Sequence, residues 1–328
     1  MYFDTIYIGG GTPSILEPQL LEKLLKSIKN ISGKPKEFTI EANPESITNQ
    51  KLSLFLKYGI NRLSIGIQSF NDRKLARLGR IHSTQKAIDS IYMAWQNGFT
   101  NISVDLIFGI WEETLNEWKT ELKMAISLPI KHISCYSLSY EKRTKLFTLL
   151  KNKKIKPQDD EIIAEMYEYA GDYLEKNKFI HYEISNFAKA GFECLHNINY
   201  WQNNSYVGLG PSAVSYQRGV RAKNMADVLK YIKMVENKLP AIVYKEKISP
   251  EKQARETAAI KIRTLEGIDF TWFKKRTGFD FVNLEGKNVT LLSRQGLLQY
   301  KKTNKKISGV ALTKKGFLFC DSISAQFL

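Results

Sequence analysis

Hydrophobic runs of strand length recur through the first half of the chain, each bounded by turn residues. They fall at Tyr2 to Ile8, Glu37 to Ala42, Arg62 to Gln68, Asn101 to Gly109 and His132 to Ser139. Between them the apolar residues are spaced at three and four, which predicts amphipathic helices over Leu20 to Ile28, Gln50 to Tyr58, Thr84 to Trp95 and Leu115 to Leu128. Five strands alternating with helices predict parallel βαβ units, closed into a barrel or laid out as an open sheet. A charged helical hairpin is expected from Lys151 to Asn177, then a last extended piece from His181 to Ser185. The stretch from Asn186 to Tyr216, rich in Asn, Gly and aromatic residues, reads as a long ordered loop of the kind that carries function. After Ile248, helices are expected at Glu251 to Leu265, Phe270 to Thr277 and Val289 to Gln299, followed by a strand at Gly309 to Leu312 and a helix from Thr313. That order resembles a winged-helix module. The expected division is 1–185, 186–247 and 248–328.

In such sheets and barrels, ligands sit at the carboxyl ends of the strands. The polar residues expected there are the Gly9 to Thr12 loop, Glu41 with Asn43 and Pro44, Gln68, Asp105, and Tyr136 to Ser139. Three consecutive glycines after a strand leave backbone N–H groups open to close approach. The Gly-Lys-Ser/Thr ending of a phosphate-binding P-loop is absent, and G-x-G-x-x-G is not matched.

The chain has 328 residues and a formal charge of +16, which would suit nucleic acid, a membrane surface or an anionic small molecule. The Lys and Arg residues are dispersed, however. Runs such as Lys151 to Lys156 and Lys301 to Lys306 are short and read as solvated surface, so nucleic acid is the weakest of the function classes considered. Cys135, Cys194 and Cys320 are too few and too widely spaced for a disulfide framework or a cysteine-rich metal motif. No signal peptide and no apolar run of membrane length is found, and the expected compartment is the cytoplasm.

Several phrases together resemble one family: YIGGGTPSIL, EANPESIT, GINRLSIGIQSFND, LGRIHS, VDLIFGI, CYSLSYE, YEISNFAKAGFECLHNINYW and YVGLGPSAVSY. The chain is similar over nearly its whole length to radical S-adenosylmethionine proteins of the oxygen-independent coproporphyrinogen III oxidase-like family, and within it to the heme-chaperone branch. The resemblance implies a TIM-like α/β partial barrel that begins one strand late, with a small, mostly helical C-terminal domain. It implies that Gly9, Gly10, Gly11 and Thr12, with Glu41, Gln68, Arg80, Asp105 and Ser137, line S-adenosylmethionine. It also implies that His196, Asn197, Tyr200 and Trp201, matching an HNxxYW signature, handle heme. His196 is then the candidate iron ligand, because imidazole ligates heme iron well, with Cys194 as a second candidate.

The family's CxxxCxxC element, which holds a [4Fe–4S] cluster, is expected upstream of the glycine loop. The chain as written is expected not to assemble that cluster, as a downstream start or a truncated gene would explain. Two further departures are Gly109-Ile110-Trp111 for Gly-Leu-Pro and Ser212-Ala213-Val214-Ser215 for Gly-Ala-His-Ser. The function implied is a chaperone that binds heme and delivers it to acceptor proteins, with peripheral contact to membrane heme proteins among its partners. The alternatives are anaerobic coproporphyrinogen III oxidation in porphyrin biosynthesis and, behind it, nucleic-acid binding.

Overall fold

The architecture is that of a computed structural model that describes residues 3–328, and of Ser32 the backbone alone. Tyr2, assigned to the first strand from its sequence, lies outside the described residues. The chain divides into two compact units, 1–196 and 197–328.

The first unit is built on a seven-stranded sheet. Five parallel strands come first, β1 (Thr5–Ile8), β2 (Glu37–Ala42), β3 (Arg62–Gln68), β4 (Ile102–Phe108) and β5 (His132–Ser137), in spatial order 1-2-3-4-5. An antiparallel hairpin, β6 (Ile180–Glu183) and β7 (Asn186–Ala188), extends it in the order β5-β7-β6. The sheet is therefore open, with β1 and β6 at its edges. The intervening helices are α1 (Pro18–Ser32), α2 (Asn49–Lys57), α3 (Asp72–Arg77), α4 (Thr84–Gln96), α5 (Leu115–Ser127), α6 (Lys145–Lys151) and α7 (Asp160–Lys176). Their starts are set by side chains that accept from the first backbone N–H groups: Thr48 for α2, Ser83 for α4, and for α5 a reciprocal box between Thr114 and Glu117.

The strands alternate, and the alternation decides which face the helices cover. Phe38, Ile40 and Ala42 of β2, Leu63, Ile65 and Ile67 of β3, Ile102, Val104, Leu106 and Phe108 of β4, and Ile133 and Cys135 of β5 are buried in one core. Leu52, Phe55, Ile91, Ala94, Trp118 and Leu122 of the helices join them there. The intervening positions are polar and point to the other face: Thr5 and Tyr7, Glu37, Thr39 and Glu41, Arg62 and Ser64, Ser103 and Asp105, His132, Ser134 and Tyr136. Glu37, Thr39, Arg62, Ser64, Ser103, His132 and Ser134 on that face are buried, whereas Tyr7, Glu41, Asp105 and Tyr136 toward its carboxyl end keep some exposure. That face lines a lumen.

Helix α8 (Leu195–Trp201) spans the junction of the two units. The second unit contains the antiparallel sheet β8 (Val214–Gln217), β9 (Val220–Asn224) and β10 (Ile242–Lys247), and α9 (Val228–Glu236) between the last two strands. Beyond these come α10 (Pro250–Lys261), β11 (Ile268–Asp269), α11 (Phe270–Thr277), α12 (Phe281–Arg294), β12 (Leu298–Thr303), β13 (Lys306–Leu312), α13 (Lys314–Leu318) and α14 (Cys320–Ala325). Three helices with the small sheet β11-β13-β12 give the winged-helix-like arrangement, closed over Phe273, Phe281, Leu292, Val310 and Phe327.

The extended piece expected at 181–185 is present as β6, one arm of the β6–β7 hairpin. Three expectations need correction. The helical hairpin over 151–177 is a single helix, α7, because α6 has already ended at Lys151. The loop expected over 186–216 holds β7, α8 and the start of β8. The third C-terminal helix is Phe281–Arg294 rather than 289–299, since Asp280 accepts from the N–H groups of Val282 and Asn283 and starts the helix earlier. Among the described residues, no helix is long and apolar enough to cross a membrane.

One buried charge cluster braces the loops after β3 and β4. Lys74 Nζ lies 2.5 Å from Glu113 and 3.0 Å from Glu121, and Glu121 also accepts from Ser69 Oγ and the Phe70 N–H. Removing the one cation would leave two carboxylates in a dry site, where breaking such a pair costs about 3–5 kcal/mol. Lys74→Met should therefore lower the stability of the first unit by about that amount in urea denaturation. Lys57→Ala, which breaks an exposed pair with Glu22, should leave the midpoint nearly unchanged.

Candidate functional site

At the carboxyl end of the lumen the glycine loop folds back on β2. An added Cβ at Gly9 would lie 2.7 Å from the Glu41 carboxyl carbon, so only glycine admits that carboxylate, and Gly10 takes φ of 86°. Glu41 accepts from the Tyr7 hydroxyl at 2.8 Å and from the Gly10 N–H. The loop is pinned to the turn after β2, with Asn43 Nδ2 donating to Thr12 Oγ1 at 3.1 Å and Lys51 donating to the Ser14 carbonyl at 2.7 Å. Gly66 plays the matching part on β3. A Cβ there would meet Gln68 Nε2 at 2.8 Å and Asn43 Oδ1 at 3.1 Å, and Gln68 itself holds φ of 68°. Gly9, Thr12, Glu41 and Gln68 are thus drawn together.

Asp105 lies one strand further, next to Ser64 Oγ at 3.4 Å and the Ser134 hydroxyl. It can be reached by solvent from the lumen yet is enclosed by protein. Burial pushes its carboxyl above the ordinary range, and burial together with the charge of Asp105 does the same to Glu41. Two carboxyl groups held in this state favour a ligand that brings positive charge. Ser137, exposed at the end of β5, pairs in register with Phe108.

Arg80 sits just beyond α3, and among the described residues its guanidinium makes no hydrogen bond or ion pair, whereas Arg77 is committed to Glu112 and to the Trp111 carbonyl. No contact joins Arg80 directly to Glu41. Its segment is tied to the site through His82, whose Nδ1 lies 3.2 Å from Glu45 and Nε2 3.1 Å from the Ile67 carbonyl.

At the amino end of the lumen, roughly 13 Å down the strands at about 3.3 Å per residue, a second polar group assembles. Glu37 accepts from the N–H groups of Leu195 (2.8 Å) and His196 (3.0 Å) and faces the Cys194 thiol at 3.5 Å, so it caps α8. His132 bridges Ser103 and the Tyr182 hydroxyl, both at 2.8 Å, and burial holds its imidazole well below the usual range. Arg62 is buried among Cys194, Glu37, Tyr182 and Tyr7, with its Nε unpartnered.

His196 belongs to this end. Its Nδ1 lies 2.9 Å from Thr5 Oγ1, its ring is stacked on Tyr7 at 5.1 Å between centroids, and burial lowers its pKa. Further along the motif, Tyr200 packs edge-on against Tyr206, and the Arg263 guanidinium lies 5.6 Å over the Trp201 ring. The Trp201 indole N–H is buried with no acceptor. Asn197 is half-buried on the same helix.

These placements test the implied groups. Glycines without room for a Cβ, two carboxyl groups awaiting a cation, and an uncommitted arginine fit an amino acid sulfonium such as S-adenosylmethionine. An imidazole and a buried N–H donor lacking an acceptor fit a metalloporphyrin bearing carboxylates. The residues of this chain do not fit a [4Fe–4S] cluster. The three cysteines are each buried, and among the described residues no three His, Cys, Asp or Glu side chains are grouped to hold a metal ion.

The sequence reading missed Tyr7, Glu37, Arg62 and His82. The signal of Tyr7, Glu37 and Arg62 was present as polar residues at every second position of otherwise apolar strands, whereas His82 lies in the loop between α3 and α4 and had no periodic signal.

Comparison with known proteins gives a consistent picture. A model of the Radical SAM superfamily matches residues 1–125, and one of the HemN C-terminal domain matches residues 248–319. The chain is 34% identical over 326 residues to the heme chaperone HemW of Lactococcus lactis subsp. lactis, covering 99% of this chain and 84% of that one. It is 35% identical over 329 residues to the heme chaperone HemW of Bacillus subtilis, covering 99% and 85%. Coproporphyrinogen III oxidase (HemN) from Escherichia coli, a radical SAM enzyme, superposes with a TM-score of 0.83 at 20% identity over 99% of this chain and 78% of that one, a likeness of fold.

The raised carboxyl of Asp105 has a consequence for stability. In the unfolded chain an aspartate ionises near 3.9. A group whose folded pKa is raised contributes stability that is full below that value and is lost as pH rises through the folded pKa. Asp105→Asn should therefore raise the neutral-pH melting temperature, by about 2–4 °C for each kcal/mol relieved. It should also flatten the decline in stability above pH 4, as followed by circular dichroism.

Proposed function

The chain belongs to the HemW family of the radical S-adenosylmethionine superfamily, and on that premise we propose that it is a chaperone that binds heme and passes it to acceptor proteins. The observation that carries the reading is the state of the HNxxYW helix. Its first turn is fixed by Glu37, its histidine is oriented by Thr5 and Tyr7, and its tryptophan keeps a buried donor without an acceptor. Such a donor is costly to leave unpaired and is suited to a porphyrin carboxylate. His196 is the proposed iron ligand, with Asn197, Tyr200 and Trp201 against the macrocycle.

S-adenosylmethionine is the proposed ligand of the opposite end. The loop of Gly9, Gly10, Gly11 and Thr12, whose glycines carry no Cβ, lies against its amino acid portion, Glu41 and Asp105 meet its positive charge or its ribose hydroxyls, and Gln68 and Ser137 supply polar contacts. Arg80, free of other carboxylates, takes its carboxylate. Bound there, the molecule supplies a reactive sulfonium; the residues of the chain orient it. Coproporphyrinogen oxidation is the second activity of this lineage, and no specific feature of the site favours it.

Heme titration of the full chain, followed by the Soret band with unfolding measured in parallel, tests the reading. His196→Ala should weaken heme binding at least tenfold with a nearly unchanged melting profile. Trp201→Phe, which removes only the orphan donor, should weaken it by roughly five- to tenfold, as the loss of about 1–1.5 kcal/mol implies. Parent-like binding by both variants would exclude the motif as the heme site.

A further inference from the structure

We propose that Tyr7 couples the two ends of the lumen, so that the state of Glu41 at the glycine loop is transmitted to His196 at the head of the HNxxYW helix. This rests on the functional reading above for its ligands, but the contact itself stands on geometry. Tyr7 is the central inward residue of β1. Its hydroxyl donates to Glu41 Oε1 at 2.8 Å, and Glu41 in turn accepts from the Gly10 N–H and packs against the bare Cα of Gly9. Its ring lies over the His196 imidazole, with centroids 5.1 Å apart and planes 25° from parallel. One side chain therefore touches the proposed S-adenosylmethionine loop through its hydroxyl and the proposed heme ligand through its ring.

The surroundings make that link responsive. β1 is four residues long and is tied to β2 by a short parallel ladder, Thr5 to Ile8 against Glu37 to Ile40. The imidazole is also held by Thr5 Oγ1 on its Nδ1, and the His196 backbone N–H by Glu37, both at the amino end of the lumen. Tyr7 reaches from there to Glu41 at the other end. A hydrogen bond to an ionised carboxylate is roughly twice as strong as one to a neutral acceptor. A ligand cation that engages Glu41, or a change that neutralises it, weakens the hold on the Tyr7 hydroxyl and lets the ring reposition over His196. By linkage, anything that fixes His196 must affect the glycine loop to the same extent. A tyrosine that merely fills space would make the stack without needing its hydroxyl.

The test is a double-mutant cycle read at His196. The full chain is labelled with 15N-histidine. Only four histidines are present, and the His196 ring signals are assigned by their loss in His196→Gln. The ring nitrogen shifts are then compared in the parent, Glu41→Gln, Tyr7→Phe and the double variant. The expected result is that Glu41→Gln moves the His196 signals in the parent and moves them at least threefold less in the Tyr7→Phe background. Equal movement in both backgrounds, or none in the parent, overturns the proposal. If Glu41→Gln fails to fold, Glu41→Asp, which keeps the charge and shortens its reach, replaces it in the cycle.

A second arm uses ligands. Saturating S-adenosylmethionine should change the heme Kd of the parent at least threefold and that of Tyr7→Phe by less than half as much. A parent that binds both ligands without mutual effect overturns the coupling. A parent that binds neither overturns the functional reading instead, and the nitrogen shifts alone then decide the coupling.

Discussion

A sheet face that carries Glu37, Glu41, Arg62, Asp105 and His132 can be buried only where its groups find partners, because stripping water from them otherwise costs several kcal/mol apiece. The first unit meets this constraint by building its apolar core on the other face, giving Glu37 and His132 hydrogen-bond partners at the amino end of the polar face, and leaving Glu41 and Asp105 partly exposed at its carboxyl end. The position of the site follows from it. Every second residue of β1 to β5 projects into the lumen, and the turns that follow the strands bring the glycine loop, Asn43 and Gln68 to its rim. Among the described residues the wall runs from β1 to the β6–β7 hairpin as a partial barrel, in a fold shared with HemN.

The two ends of the wall are built for different tasks. The carboxyl end holds carboxyl groups whose ionised forms are penalised by burial, next to glycines that leave backbone N–H groups accessible. Such a site gains most from a ligand carrying both a positive centre and acceptors. At the amino end Ser103, His132, Tyr182, Cys194 and Glu37 are joined by hydrogen bonds, and the product of that network is a fixed start for α8. The bracing cluster around Lys74 stands behind the loops after β3 and β4, outside the lumen. Precision at the rim thus depends on charges buried on the far side of the sheet.

Much of this was legible in the sequence where local and tertiary preferences agree. The strands Glu37–Ala42 and Arg62–Gln68 and the helix Phe270–Thr277 run as their patterns predict, since strong apolar periodicity coincides with turn or capping residues at their ends. The glycine loop and Glu41 were also legible, because a strand end followed by glycines is a local signal. The β6–β7 hairpin and α8 were not. Ile180–Glu183 and Asn186–Ala188 are too short to show a period, and α8 has no buried residue within the first turn to mark it, its start being set by Glu37, more than 150 positions earlier in the chain. Helix α9 is amphipathic but buries none of its residues, so its pattern carried no information about a core. Tyr7 and Arg62 sit inside apolar strand runs, and a polar residue that alternates with apolar ones carries no local mark of what it faces across the sheet.

A ligand site at the carboxyl rim of the polar face makes a prediction for hydrogen–deuterium exchange of the full chain with and without millimolar S-adenosylmethionine. Exchange should slow in peptides covering residues 9–12, 41–46 and 66–82, with the second unit beyond residue 201 unaffected. Protection confined to the second unit, or equal protection in the presence of adenosine lacking the methionyl group, would contradict it.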